Sequence, residues 1–135
     1  LAVDVRAWTV TEQQRVDAAM HALPSFLSEA GLRVIGGPNR PPLEEAASAG
    51  LFARAVEFAE ALGIGTLRGA SVGGGSDGNF TAGAGTPTLD GLGAVGGGAH
   101  ADHEHVSVAD LPRRTALLTA LVGDALDRPG SGSRP

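Results

Sequence analysis

Residues 73–80 read GGGSDGNF and form the glycine-rich turn around which the fold prediction is built. Residues 67–72 before this turn, LRGASV, predict a strand, and residues 79–84 after it predict a short helix. Of the 21 glycines in the chain, 14 lie between Gly63 and Gly98. Glycine allows tight turns and a close approach of backbone to a ligand, so this region is the first candidate for a functional site.

The turn permits three interpretations. Gly73, Gly75 and Gly78 match the G-x-G-x-x-G pattern of a dinucleotide loop. That loop also requires an acidic residue at a strand end about 20 positions later, which is not found here. The alternatives are a tight turn in which Ser76 or Asp77 caps a helix, and a loop that faces a substrate.

The N-terminal part of the chain predicts a strand, a helix and a second strand. Apolar and other residues alternate over residues 1–8, which indicates a strand. A capping box, either Thr9 with Glu12 or Thr11 with Gln14, begins a helix that Pro24 ends. Residues 32–35 predict the second strand, and the proline-rich residues 36–44 form an extended connector.

The C-terminal part adds further elements of both kinds. Helices are predicted at residues 48–62, with Gly63 as the C-terminal cap, and at residues 109–126. A strand is predicted at residues 86–92 and a loop at residues 93–105. The alternation of strands and helices favours the α/β class.

Composition excludes several classes of function. The 135 residues contain no cysteine, which excludes a disulfide framework and thiolate chemistry. All ten cations are arginine, which excludes a Schiff-base lysine. The net charge of −5 argues against nucleic acid as a partner, and the apolar runs are too short to span a membrane. With 42% hydrophobic and 19% charged residues, the chain is expected to fold.

Two further groups of residues are candidates for chemistry. Arg40 lies in the rigid sequence PNRPP and could hold a carboxylate with two hydrogen bonds, although a solvated loop arginine is the alternative. His100, His103 and His105 alternate with acidic residues, and imidazole is a zinc ligand. Neighbours in an extended loop point in different directions, so they cannot all bind one ion, and a polar surface loop is the alternative.

Taken in order, these segments resemble one family, the zinc-dependent exopeptidases and deacylases that include carboxypeptidase G, acetylornithine deacetylase, succinyl-diaminopimelate desuccinylase and aminoacylase. The resemblance covers about residues 1–126 and corresponds to the C-terminal part of these proteins. The matching segments are DVR at 4–6, GGPNRPP at 36–42, GGGSDGNF at 73–80, PTLDGLGAVGGGAH at 87–100, EHV at 104–106 and LPRRTALLTALV at 111–122.

The resemblance implies an α/β fold made of parts of two domains. Residues 1–43 would be the end of a lid or dimerisation domain, a strand–helix–strand, with the connector. Residues 44–126 would be the C-terminal half of a mixed-sheet catalytic domain of the di-zinc aminopeptidase type. Residues 127–135 are predicted to form a disordered tail.

The resemblance also implies a site. His100 matches the family's last metal ligand, and Arg40 matches an arginine that binds the carboxylate of the substrate. The loops around them would line the pocket, with substrate-binding residues Asn39, Gly75, Ser76, Asp77, Asn79, Gly97 and Gly98. The other metal ligands and the catalytic glutamate would lie in an N-terminal half that this sequence does not contain.

The implied function is hydrolysis of an amide bond in an N-acyl amino acid or short peptide at two zinc ions, with cobalt or manganese as alternative metals. The chain by itself is expected to be inactive, because one histidine cannot hold a catalytic zinc. Expected partners are the missing catalytic half and a second copy bound through the lid, and the expected location is the cytoplasm. The alternative is a non-catalytic dimerisation or binding module derived from the same family.

Overall fold

A computed structural model of the chain describes residues 1–128. They form helices and one small sheet, and they divide into two compact units, residues 1–49 with 71–88 and residues 50–70 with 89 onwards. The elements are α1 (Val10–His21), α2 (Glu45–Ala61), α3 (Gly78–Gly83), β1 (Gly96–Gly97), β2 (His105–Val106) and α4 (Leu111–Asp127), with a 3-10 turn at Val108–Asp110 before α4. The α/β prediction is confirmed in this coarse form, while the division at residues 43 and 44 remains a prediction.

All four predicted helices form, with shifted ends. The first begins at Val10 because the Thr9 hydroxyl accepts a hydrogen bond from the Glu12 amide at 3.1 Å, which selects Thr9 over Thr11 as the cap. At the end of α2, Gly63 has a φ of +64°, and the Ile64 amide donates to the Ala59 carbonyl at 2.9 Å. The predicted glycine cap is therefore confirmed, and the left-handed conformation explains why glycine is favoured there.

The four predicted strands, at residues 1–8, 32–35, 67–72 and 86–92, are wrong for the chain as described. Among residues 1–128 the only paired strands are β1 and β2, which lie antiparallel with Gly96 opposite Val106 and Gly97 opposite His105. Strand β1 lies within the segment predicted as a loop, residues 93–105, and β2 begins at the last residue of that segment. A strand forms only where a second strand lies alongside and pairs with its backbone. Among the described residues, no second strand pairs with any of the four predicted segments.

The first unit is joined by hydrogen bonds between distant segments. The Glu44 carboxylate accepts from the Val10 amide at the start of α1, at 2.8 Å. The Thr88 amide donates to the Ala47 carbonyl at 3.0 Å. These bonds attach α1 and the segment after α3 to the start of α2, so the connector between them is held at its C-terminal end.

The second unit contains the buried residues of the described chain, which are Ala55, Ala59 and Leu117. Arg54 on α2 and Asp124 on α4 form a two-point ion pair, with distances of 2.6 and 3.2 Å. The hydrogen bond from Arg54 lowers the pKa of the Asp124 carboxyl, against a smaller opposing effect of desolvation. This pair ties α2 to α4 beside the small apolar core.

Within residues 1–128, no helix is long and apolar enough to cross a membrane. Helix α4 continues to Asp127, and Arg128 is its C-terminal cap. Residues 129–135, the rest of the predicted tail, lie outside the described residues.

Candidate functional site

The proline-rich connector is held at two consecutive carbonyl groups. The Gln13 side chain on α1 donates to the Arg40 carbonyl at 2.7 Å. The Asn79 amide group donates to the Pro41 carbonyl at 2.8 Å. Proline at position 41 also restricts the backbone of Arg40 to extended conformations. The backbone at Arg40 is therefore fixed from both sides, by a helix and by the glycine-rich turn.

The Arg40 side chain lies against the glycine-rich turn. Its guanidinium carbon is 5.0 Å from the centroid of the Phe80 ring, a cation–π distance. A Cβ atom built on Gly75 would lie only 2.7 Å from Arg40 Nη1, so the guanidinium occupies the space that a side chain at this position would need. Arg40 is partly buried, and the Phe80 residue is 47% exposed. The guanidinium is thus held by an aromatic face and a bare stretch of backbone.

Two side chains of the turn accept hydrogen bonds from its own backbone amides. The Ser76 hydroxyl accepts from the Gly78 amide at 3.1 Å, and Asn79 Oδ1 accepts from the Ser76 amide at 2.9 Å. Asp77 is exposed and makes no capping bond at the start of α3. Of the two capping residues considered, the geometry favours Ser76. Both polar groups of the Asn79 side chain hold the loop and the connector together.

The N-terminal end of the turn is bound by Arg6, from the sequence DVR. Arg6 Nη1 donates to the Gly73 carbonyl at 2.6 Å, and Arg6 also pairs with Asp4 at 2.9 and 3.0 Å. Residues 1–7 therefore contact the turn even though they form no strand. Asn39, the remaining substrate-binding candidate of this unit, is exposed next to Arg40.

His100 lies in a turn of the second unit and is exposed. Its φ is +65°, the one positive value among the non-glycine residues that the structure describes. This left-handed conformation costs an L-residue about 1–2 kcal/mol. Hydrogen bonds across the turn hold it, since the Ala101 amide donates to the Gly98 carbonyl at 2.8 Å and the Glu104 amide to the Ala101 carbonyl at 2.9 Å.

The glycines before His100 are packed against neighbouring histidines. A Cβ on Gly96 would collide with the His105 carbonyl oxygen across the β1–β2 pair. A Cβ on Gly97 would lie 3.2 Å from His105 Cε1, and one on Gly98 would lie 2.7 Å from His103 Cδ2. Glycine at these positions thus lets two histidine rings and the opposite strand approach the backbone. Binding of substrate by Gly97 and Gly98 remains a prediction.

The residues present do not make up a complete zinc centre. A catalytic zinc takes three protein ligands, and no group of three or more histidine or acidic side chains within residues 1–128 is placed to share an ion. His100 could supply one imidazole nitrogen, and two further protein ligands would be needed.

The structure brings together one part of the predicted site. Arg40, Gly75, Ser76 and Asn79 form one hydrogen-bonded or contacting group in the first unit, whereas Gly97, Gly98 and His100 belong to the second unit. Sequence reasoning missed Gln13 and Phe80 as supports of Arg40. Phe80 belongs to the glycine-rich turn at residues 73–80, so its position in the sequence could have suggested a role. Gln13 binds a carbonyl 27 residues away, and no local sequence pattern indicates that contact.

An arginine held in this way can bind a carboxylate with two parallel N–H···O bonds. The guanidinium carries five N–H donors in a rigid fork, and its contact with the Phe80 ring is made through a cation–π interaction that uses none of them as a hydrogen-bond donor. A carboxylate that forms two such bonds is fixed in direction as well as position.

Comparison with known families supplies one match. The model of peptidase family M20/M25/M40 matches residues 5–124, nearly the whole of the described chain. No significant match is found among curated proteins or among solved structures.

Proposed function

The chain belongs to peptidase family M20/M25/M40, and from this membership and the Arg40 geometry we propose that it binds the substrate carboxylate for a zinc-dependent amide hydrolase. The family indicates a hydrolase of the peptidase or amidohydrolase kind. The proposed substrates are N-acyl amino acids or short peptides, which carry a free carboxylate next to the amide bond that is cleaved.

One observation carries this proposal. The Arg40 guanidinium is held over Phe80 and against Gly75, while its backbone is bound at the Arg40 and Pro41 carbonyls. A solvated loop arginine needs none of these contacts. An arginine that is fixed before the ligand arrives loses less side-chain entropy on binding, which favours tight and directional recognition.

The chemical contribution of these residues is positioning. Two hydrogen bonds from Arg40 to the terminal carboxylate would fix the position and direction of the substrate, and with them the place of its amide carbonyl in the site. Holding reactants in a productive orientation supplies a large part of an enzyme's rate enhancement. Substrates that lack the terminal carboxylate would bind weakly, which is the selectivity of an exopeptidase or deacylase.

The family is generally metal-dependent, and zinc is the metal we propose, with cobalt or manganese as alternatives. His100 would contribute one ligand, and the remaining ligands and the general base would come from a polypeptide segment other than these 135 residues. The isolated chain is therefore expected to have no amidase activity with added zinc. Zinc-dependent hydrolysis of N-acetyl-L-alanine by the purified chain would contradict this part of the proposal.

Carboxylate binding can be tested on the 135-residue chain itself. N-acetyl-L-alanine is titrated while the Arg40 Nε–Hε signal is followed by ¹H–¹⁵N NMR, and N-acetyl-L-alanine amide serves as the probe without a carboxylate. The acid should shift the Arg40 signal and the amide should not. Replacing Arg40 with alanine should weaken binding about 10-fold to 100-fold, because a hydrogen bond to a charged group contributes about 1.5–3 kcal/mol.

The control for this test is Arg33→Ala, which removes an exposed arginine of the same unit. This variant should bind the acid like the wild type. Equal binding of the acid and its amide, or unchanged affinity in Arg40→Ala, would remove Arg40 from the site.

A non-catalytic binding or dimerisation module is the second candidate function. It is favoured by the fact that every contact of Arg40 described above lies within the first unit, so carboxylate recognition does not depend on His100. The coding sequence upstream of Leu1 discriminates the two candidates. An HxD metal motif followed by paired glutamates would support the hydrolase, and a sequence without them would support the module.

A further inference from the structure

We infer that Gln13, on α1, is a positioning residue that sets the direction of the Arg40 side chain and thereby the selectivity for carboxylates. This inference rests on the proposed function of Arg40. It assigns a role in ligand recognition to a helix that the sequence analysis places in the lid, where no ligand contact was predicted.

A hydrogen bond joins the Gln13 side chain to the backbone of Arg40. Gln13 Nε2 donates to the carbonyl oxygen of Arg40 at 2.7 Å, and the bond is partly buried. It acts on the backbone of the residue whose side chain would bind the ligand. The orientation of this carbonyl is set by the ψ angle of Arg40, so a bond to it fixes the peptide plane that follows the Arg40 Cα.

The contact from Gln13 is one of several that bind the connector. The next carbonyl, that of Pro41, is bound by Asn79 at 2.8 Å, and Asn79 is in turn tied to the glycine-rich turn through the Ser76 amide. The turn itself provides the two surfaces against which the guanidinium lies, Gly75 and Phe80. The backbone of the connector at Arg40 and Pro41 is therefore bound by Gln13 from α1 and by Asn79 from the turn.

Helix α1 is itself anchored to the connector. Its first amide, that of Val10, is bound by the Glu44 carboxylate at 2.8 Å. The helix thus holds the connector at Arg40 and is held at Glu44, four residues further on. Because the helix is attached at a second point, the Gln13 donor has a defined position from which to act.

Loss of the Gln13 bond should reach the ligand through the length of the Arg40 side chain. Arg40 is a long side chain, so a small rotation of its backbone moves the guanidinium at the far end by more than the backbone moves. Functional groups must be held within about 0.5 Å and 10–20° of the productive geometry, and their precision depends on the residues that support them. Loss of the Gln13 bond would leave the Arg40 carbonyl without this support.

The test compares Gln13→Ala, which removes the donor, with Gln14→Ala, the exposed neighbour on the same helix. N-acetyl-L-alanine is again the probe and its amide the reference. Gln13→Ala should weaken binding of the acid about 5-fold to 10-fold, because Arg40 would then have to be ordered by the ligand, at a cost comparable to the lost neutral hydrogen bond. Gln14→Ala should leave binding unchanged. The free Arg40 Nε–Hε signal should move in Gln13→Ala before any probe is added.

A conservative variant separates positioning from a general structural role. Gln13→Lys retains a donor of similar reach and should restore both the Arg40 signal and most of the affinity. Gln13→Glu has nearly the same shape but no donor when ionised, and should behave like Gln13→Ala. If Gln13→Ala fails to fold, the comparison of these two variants carries the test.

The outcomes have separate meanings. Wild-type affinity in Gln13→Ala and Gln13→Glu, or an unmoved Arg40 signal, overturns the inference. If the wild type does not bind the acid but the Arg40 signal still moves in Gln13→Ala and returns in Gln13→Lys, the positioning role stands and the proposed carboxylate function falls. Weaker binding that follows the Arg40 signal across the variants supports both.

Discussion

Replacement of Gly75 by alanine tests the contact between the turn and Arg40. The added Cβ would lie 2.7 Å from Arg40 Nη1 and 3.1 Å from Arg40 Cδ, whereas ordinary contacts begin at 3.4 Å. The guanidinium must therefore retreat by about 0.7 Å, the difference between these two distances, or rotate away. Gly75 is not among the glycines with positive φ, so its backbone can accept alanine.

The size of the effect follows from which group has to move. Nη1 is the end of a flexible side chain, so the fold should remain intact and the free energy of unfolding should change by about 0.5 kcal/mol or less. A displacement of about 0.7 Å exceeds the tolerance of about 0.5 Å for a binding group. Loss of one charge-assisted bond, about 1.5–3 kcal/mol, corresponds to a Kd for N-acetyl-L-alanine raised about 10-fold to 100-fold.

The assay combines urea unfolding with the NMR titration of the Arg40 Nε–Hε signal. Gly74→Ala is the matched control, because a Cβ at Gly74 would meet nothing within 4 Å. The reasoning is refuted if Gly75→Ala binds the acid like the wild type, or if Gly74→Ala weakens binding as much. In either case the close approach of Arg40 to the turn would not determine affinity.

Two further predictions concern stability. Leu117→Ala removes a side chain that is 1% exposed and should lower the free energy of unfolding by about 2–4 kcal/mol. The control is Leu118→Ala, at a residue 45% exposed, which should lower it by about 1 kcal/mol or less. Equal urea midpoints for the two variants would contradict this prediction. Because Arg54 lowers the pKa of Asp124, the ion pair stabilises the fold above the unfolded pKa of about 3.9, and this stabilisation is lost as pH falls through the lower folded value. Asp124→Asn should therefore lower the urea midpoint at pH 7 and differ less from the wild type at pH 3. Asp127→Asn, on the same helix, is the control. A difference in midpoint that stays constant across pH would show that the charge of Asp124 is not responsible.

The helices could be predicted from the sequence because their determinants are local. Thr9 caps α1 through an amide three residues away, and Gly63 ends α2 through its own left-handed conformation. Both signals are read within one turn of chain. The ends of α2, α3 and α4 differed from the prediction by one to three residues.

The strands and the support of Arg40 could not be predicted because they depend on partners elsewhere in the chain. Alternation over residues 1–8 describes one segment, whereas a strand also requires a second segment at the right distance. The β1–β2 pair formed instead where Gly96 allows His105 to approach the backbone. Similarly, nothing local to Gln13 indicates that its side chain binds the Arg40 carbonyl.

The sequence by itself determined the helices and the glycine-rich turn, because these depend on residue types at short, fixed spacings. Its resemblance to a known family, carried by motifs along the whole chain, made Arg40 a carboxylate-binding candidate. Tertiary structure alone decided that Gln13 and Asn79 hold consecutive carbonyls of the connector and that the Arg40 guanidinium lies between Phe80 and Gly75. The physical reason is that a hydrogen bond or a steric contact needs two groups within a few ångströms. Only the folded chain brings together groups that are 27 to 40 residues apart.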